Sequence, residues 1–271
     1  MLIRPVFASS NPTAPARHAL IGMVHLGPLL DKGVALAEVE RRAVSDAAIL
    51  AEAGFDALVV ENFGDTPFYP DEVPPHTIAA MTRVVMAVRG VVGQALPIGV
   101  NVLRNDARGA LAVAAATGSQ AIRVNVHAGA AVTDQGIVMG RAYETVRARR
   151  ALAPDVRIWA DVRVKHAAPV AERPIVEEAE ELALRAEADA LVVSGHKTGG
   201  PTDPARLEQV RRAVHVPILV GSGATPETLS ALLPVCDGLI VGSWLKHGGD
   251  VLTSVDPARA RAFVDAARAH S

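Results

Sequence analysis

Ionisable and amide side chains recur along this 271-residue chain, each near the downstream end of a short apolar run. The series begins with His25, then Glu61 and Asn62, then Asn101 and Arg104. It continues with Arg123, Asn125 and His127, with Asp161, Arg163 and Lys165, and with Ser194, His196, Lys197 and Thr198. Two glycine turns close it, Gly221-Ser222-Gly223 and Gly242-Ser243. Asp161 and Lys165 could lie on either side of a small ligand. A lysine so placed can lose its charge through burial and nearby cations, and so act as a base or as an imine-forming amine. Glu61 is a third candidate for proton transfer. His25, Asn101, Arg104, Asn125, His127 and Ser194 could orient hydroxyls and carbonyls. Glycine turns let backbone N–H groups approach an anion closely, so Gly221, Ser222, Gly223, Gly242 and Ser243 point to a phosphorylated small molecule. The competing reading for Arg123, Arg163, Glu61 and Asp161 is an ion-paired layer that only fills the interior. The histidines with Glu61 and Asp161 could also ligate a metal, but no H-x-H or H-E-x-x-H spacing supports it. Hydrogen-bonding histidines are the preferred reading, and neither metal nor cofactor is expected.

The elements that must position these groups alternate strictly. Apolar runs rich in Val and Ile occupy 19–26, 57–62, 97–103, 121–127, 157–164, 190–195, 217–223 and 238–244. Runs of this kind mark strands buried on both faces of a parallel sheet. Segments of helical period fill 34–53, 75–93, 107–117, 139–152, 174–188, 203–213, 225–233 and 256–269. Asp106, Asp203 and Thr225 are potential helix caps, Pro174, Pro204, Pro226 and Pro257 potential first-turn prolines, and Gly54 and Gly118 potential stops. Eight strand–helix units in about 250 residues predict a single-domain (β/α)8 TIM barrel over 18–271, with 1–17 as a loose arm. A doubly wound sheet would place a glycine-rich turn after the first strand, where His25-Leu26-Gly27-Pro28 stands instead. Alternation predicts that Arg123, Asn125 and His127 share an inward face, as do Asp161, Arg163 and Lys165, while Ile122, Val124, Val126, Ala160, Val162 and Val164 face the helices.

Composition narrows the functional class. The formal charge is -2, from 27 basic and 29 acidic residues, and only 3% of residues are aromatic. Neither a field for nucleic acid nor a base-stacking platform is expected. The single cysteine, Cys236, leaves no internal disulfide. No apolar run approaches the ~18 residues of a spanning helix, and no leader-like stretch follows Arg4. A cytoplasmic protein is expected. The loop Phe63–Pro75, with Phe68, Tyr69 and several prolines, reads as a lid or a subunit contact and suggests a homo-oligomer; Thr133-Asp134-Gln135-Gly136 reads as a second lid.

Six strings carry a family resemblance. They are VENFGDTPFYPDEVPPHT (60–77), GVNVLRNDARGAL (99–111), RVNVHAGAAVTDQG (123–136), ADVRVKHAAP (160–169), LVVSGHKTG (191–199) and GLIVGSWLK (238–246). Together they make the chain resemble the BtpA/SgcQ family over residues 19–269. The resemblance implies a phosphate-binding TIM barrel. One branch of that family is linked to photosystem I assembly and the other to bacterial sugar-uptake gene clusters. The implied function is an enzyme acting on a sugar phosphate or nucleoside-derived phosphate by isomerase, epimerase or lyase chemistry. The alternative is a non-catalytic assembly or regulatory factor. The chain departs from the family pattern at Pro28–Gly33, at His127 and at His196-Lys197.

Overall fold

A computed structural model describes residues 6, 17–195, 200 and 202–270. Most of the expected arm and the His196-Lys197-Thr198 segment lie outside the described residues. Eight parallel strands close into a barrel. In chain order they are Ala19–His25, Ala57–Glu61, Ile98–Asn101, Ala121–Val124, Arg157–Val162, Ala190–Val193, Ile218–Val220 and Gly238–Val241. They are called the first to eighth strands below. Each pairs with its neighbours in sequence, and the first pairs with the eighth. The predicted (β/α)8 barrel is therefore the fold.

The helices follow the expected segments, as α1 (Leu36–Ala53), α2 (Pro75–Val92), α3 (Ala107–Thr117), α4 (Ala142–Leu152), α5 (Ile175–Glu180), α6 (Pro204–Ala213), α7 (Leu229–Leu232) and α8 (Pro257–Arg268). In α1, Val39, Ala43, Asp46, Ala47 and Leu50 recur at helical spacing on the buried face. Gly54, at φ 96°, ends the helix in the left-handed region that other residues enter at a cost. Asp106, Asp203 and Thr225 make the expected caps.

Alternation sorts the strand side chains into two sets. Leu20, Leu58, Ile98, Ile122, Ile158, Leu191, Ile218 and Leu239 pack outward in the large core against the helices. Ile21, Met23, Val59, Trp159, Val192, Leu219 and Ile240 fill the lower interior of the barrel, together with Val6 from the N-terminal segment. The polar row begins immediately above this dry layer. His25, Glu61, Asn101 and Arg123 are register partners across the first four strands.

The opposite, N-terminal end of the barrel carries a fourfold repeated clasp. The residue before each even-numbered strand accepts a hydrogen bond from a backbone N–H of the preceding odd-numbered strand. Asp56 takes Leu20 N at 2.8 Å, Gln120 takes Ile98 N at 2.9 Å, Asp189 takes Ile158 N at 2.8 Å and Asp237 takes Ile218 N at 2.8 Å. An arginine from an even-numbered helix joins each clasp. They are Arg268, Arg89, Arg149 and Arg211, at 2.5, 3.1, 2.7 and 2.7 Å respectively. Each clasp satisfies a strand-end donor, and arginine adds a charged hydrogen bond to three carboxylates.

Two parts of the structure differ from the expected pattern. Ala130–Thr133, Gly136–Met139 and Ala167–Pro169 form a small antiparallel sheet from the loops after the fourth and fifth strands. The segment Thr133–Gly136, expected to be a second lid, is the turn of that hairpin, where Thr133 Oγ1 donates to the Gly136 carbonyl at 3.0 Å. Strand parity also ends earlier than expected. The fourth strand stops at Val124 and the fifth at Val162, and Arg163 takes φ 58°. Arg163 therefore leaves the interior and pairs with Glu178 on α5 at 2.8 Å.

Candidate functional site

A cavity of about 670 Å³ opens at the C-terminal end of the barrel. That volume suits a small-molecule ligand. The first strand supplies His25, the second Glu61, and the fourth Arg123. Lys165 arrives from the turn after the fifth strand, and the two glycine turns supply Gly221, Ser222, Gly223, Gly242 and Ser243. These residues are far apart in sequence and meet because adjacent parallel strands end at one face.

The glycines have a steric reason. A Cβ on Gly221 would stand 2.3 Å from Ser194 Oγ, and one on Gly242 would stand 2.7 Å from His25 Cε1. Gly223 has φ 73°. Among the described residues, the N–H groups of Gly223 and Ser243 donate to no acceptor in the chain. Two glycine turns thus present unused donors at one side of the cavity.

The ionisable groups come from the first, second, fourth and fifth strands, and Arg123 reaches over to the first turn, its Nη2 3.3 Å from where a Cβ on Gly221 would stand. Arg123 is held by Asp161 through Nε–Oδ2 at 3.1 Å and Nη2–Oδ1 at 2.8 Å. Asn125 Nδ2 donates to the same carboxylate at 2.5 Å. Burial works against the guanidinium charge, but the paired Asp161 carboxylate, with Glu61, outweighs it and holds Arg123 as a fixed cation. Glu61 is buried, and desolvation raises its pKa despite Arg123 and Lys165. His25 lies 3.8 Å from Glu61 and its ring packs against Phe63. Desolvation, then Lys246, Lys165 and Arg123, holds its pKa well below the usual imidazole value, so it is neutral near pH 7. His25 Nδ1 has no hydrogen-bond partner among the described residues. Lys165 is half-buried, and its Nζ has no ion-pair or hydrogen-bond partner among the described residues. Burial and the Arg123 charge lower its pKa to about 8, against the pull of Glu61 and Asp161.

The remaining expected residues divide into supports and an outlier. Asn101 Nδ2 donates to the Arg123 carbonyl at 3.1 Å, and Arg104 Nη2 donates to the Lys165 carbonyl at 2.6 Å. Ser194 packs under Gly221. Asn125 and Asp161 line a separate cavity of about 260 Å³ beneath the small sheet. His127 does not join the site. Its Nε2 contacts the Ala186 carbonyl at 2.9 Å, and it lines a pocket beside α4, because the strand that should have aimed it inward has already ended. Sequence reasoning missed Arg259, which lines the main cavity beside Ser243 and stacks on Trp244 at 4.4 Å. It comes from the first turn of α8, and no strand periodicity points to it. Among the described residues no three His, Cys, Asp or Glu side chains gather as a metal ligand set, and no helix is long and apolar enough to cross a membrane.

Similarity to other proteins agrees with this arrangement. The model of the BtpA family matches residues 16–269. The chain belongs to the BtpA family. It is 40% identical over 258 residues to a photosystem I biogenesis protein BtpA of Synechocystis sp., covering 94% of this chain and 89% of that one. It is 44% identical over 258 residues to an uncharacterised protein of Thermococcus kodakarensis, covering 93% and 96%. Among solved structures, a thiamine phosphate pyrophosphorylase from Pyrococcus furiosus aligns with a TM-score of 0.60 at 15% identity, covering 94% and 97%. That last likeness is one of fold.

Proposed function

We propose that this BtpA-family barrel is an enzyme that acts on a phosphorylated small molecule by acid/base isomerase or lyase chemistry. One observation carries the reading: backbone donors at Gly223 and Ser243 and a lysine, none of them with a partner among the described residues, share a cavity with a neutral histidine and a carboxyl of raised pKa. The glycine turns and Arg259 hold the phosphate. Proton transfer falls to Glu61 and Lys165, whose environments shift them toward neutral pH, and to His25, whose burial keeps the ring neutral and able to accept a proton. Asp161 takes a positioning role, because its contacts with Arg123 and Asn125 fix Arg123 against the cavity. The fold neighbour named for thiamine phosphate fits a phosphorylated ligand. We place the reaction in the cytoplasm, where a single buried thiol needs no partner.

Thermal melts with inorganic phosphate and a panel of sugar phosphates test the proposal. A ligand at 100 times its dissociation constant stabilises by ~2.7 kcal/mol, enough to see. Arg259→Gln should shrink the shift. If no phosphate ester raises the melting temperature, the proposal fails. The remaining reading is then an assembly factor, which the relative named for photosystem I biogenesis favours. We also propose a homo-oligomer, with exposed Tyr69 and the apolar outer face of the small sheet (Val132, Ile137, Met139) as contacts. A monomer by mass measurement at micromolar concentration would reject it.

A further inference from the structure

We propose that Lys165 is a covalent nucleophile, and that the substrate is a phosphorylated aldehyde or ketone whose carbonyl carbon forms an imine with Lys165 Nζ while its phosphate rests on the Gly223 and Ser243 amides. This rests on the reading of the cavity as a phosphate-ester site and names the substrate class and the bond formed.

Three observations lead here. First, Lys165 has no carboxylate or carbonyl partner among the described residues, so it is not a structural ion pair. Second, a fixed cation is already present. Arg123, locked onto Asp161, lines the same cavity, so a second charge is not needed for anion binding. Third, the chain uses lysine sparingly: only four of its 27 basic residues are lysines. Lys246 is bound to Asp46, and Lys32 donates to the carbonyls of Gly64 and Thr66. An arginine at position 165 could supply charge but could not be deprotonated. The amine at this place supplies what arginine cannot.

The chemistry balances with groups lining the cavity. The neutral amine adds to the carbonyl carbon as the C=O π bond breaks toward oxygen, and the proton then lost by the nitrogen passes to that oxygen to give a carbinolamine. The carboxyl of Glu61, favoured in its neutral form by burial, donates its proton to the departing hydroxyl. Water leaves, and an iminium cation faces the Glu61 carboxylate. The iminium draws electrons from the adjacent bond. Neutral His25 can then accept the proton from the neighbouring carbon, as an isomerase or lyase requires. The charged and titratable groups that act on Lys165 are Arg123, Glu61, Asp161 and Arg104, with His25 in the same cavity and His166 next in the chain.

The test is reductive trapping of the full chain with glyceraldehyde 3-phosphate and sodium cyanoborohydride, read by intact mass and peptide mapping. Plain glyceraldehyde and inorganic phosphate serve as controls. One adduct is expected, on Lys165, forming near neutral pH roughly a hundredfold faster than on a lysine of ordinary pKa. Its rate should rise with pH with a midpoint near 8. Excess phosphate should suppress it, plain glyceraldehyde should react more slowly, and Lys165→Arg should abolish it. Label spread over the other lysines and indifferent to phosphate overturns the proposal. So does an unlabelled Lys165 in protein that phosphate esters still stabilise. That second result leaves the phosphate-ester site standing and makes Lys165 an anion-binding cation. If phosphate esters neither stabilise nor label, both readings fall together.

Discussion

Lys246 and Lys165 both follow the C-terminal ends of barrel strands, and burial lowers the pKa of each. Their partners differ. Lys246 is fully buried and donates to Asp46 Oδ2 at 2.5 Å, while Asp46 Oδ1 accepts Val255 N at 2.8 Å. That carboxylate fastens α1 to the segment after the eighth strand. Lys165 faces a cavity and meets no carboxylate among the described residues. The first lysine is part of the folded structure's own accounts of charge; the second is left for something that arrives. Burial alone does not separate a structural cation from a functional one; the partner does.

The largest effect expected on breaking this contrast is at the paired site. Lys246→Met leaves Asp46 buried without its cation and should cost ~3–5 kcal/mol. For a chain of this size each kcal/mol moves the melting temperature by ~2–4 °C, so scanning calorimetry resolves it easily. A wild-type melt would mean that the contact contributes nothing.

Asp161→Asn comes next. It strips the counter-charge from buried Arg123 and should cost about 3 kcal/mol. It should also weaken phosphate-ester binding by loosening Arg123. An unchanged melt, with turnover lost once a substrate is known, would return Asp161 to proton transfer.

Lys165→Met should change stability at pH 7 by no more than about 0.5 kcal/mol, or raise it. The pH dependence gives the sharper comparison. Lys165 has a folded-state pKa of about 8, below that of a free lysine. Between those values the unfolded chain binds more protons, so the wild type should gain stability relative to Lys165→Met as pH rises from 8 toward 10. Paired melts across that window check the slope. A flat difference would mean that Lys165 titrates normally.

The smallest effect belongs to His127. Its ring contacts the Ala186 carbonyl outside the main cavity. His127→Asn should leave the phosphate-ester thermal shift as it is. A lost shift would contradict the geometry.

The barrel was legible in the sequence because burial on both faces leaves a plain signature, and because proline, glycine and capping residues punctuate it. Glu61 and the glycine turns were legible for the same reason: they end regular strands. Legibility failed where strands stopped early. Parity aimed His127 and Arg163 inward, yet the backbone had already turned at Val124 and Val162. Lys165 does reach the cavity, but through the left-handed turn at Arg163 rather than along a strand face. The small sheet was hidden because its segments are only three or four residues long, too short to show a period, and become strands only by pairing with each other. Arg259 was hidden because it lies at a helix start, outside any strand periodicity, and reaches the cavity by folding back onto Trp244 in the loop after the eighth strand.

The repeated clasps bear on how the chain can be cut and rejoined. Three of the four join segments that follow one another closely. The remaining one brings Arg268 to Asp56 and to the carbonyl of His18, at opposite ends of the described barrel. None of the four needs covalent continuity between helix and strand; each needs only that its three members meet. A circular permutant that links α8 to the first strand and opens between α2 and the third strand should therefore close the same ring. Connectivity around the barrel is then a matter of order, not of architecture, and the clasp that now spans the whole chain would become a local one.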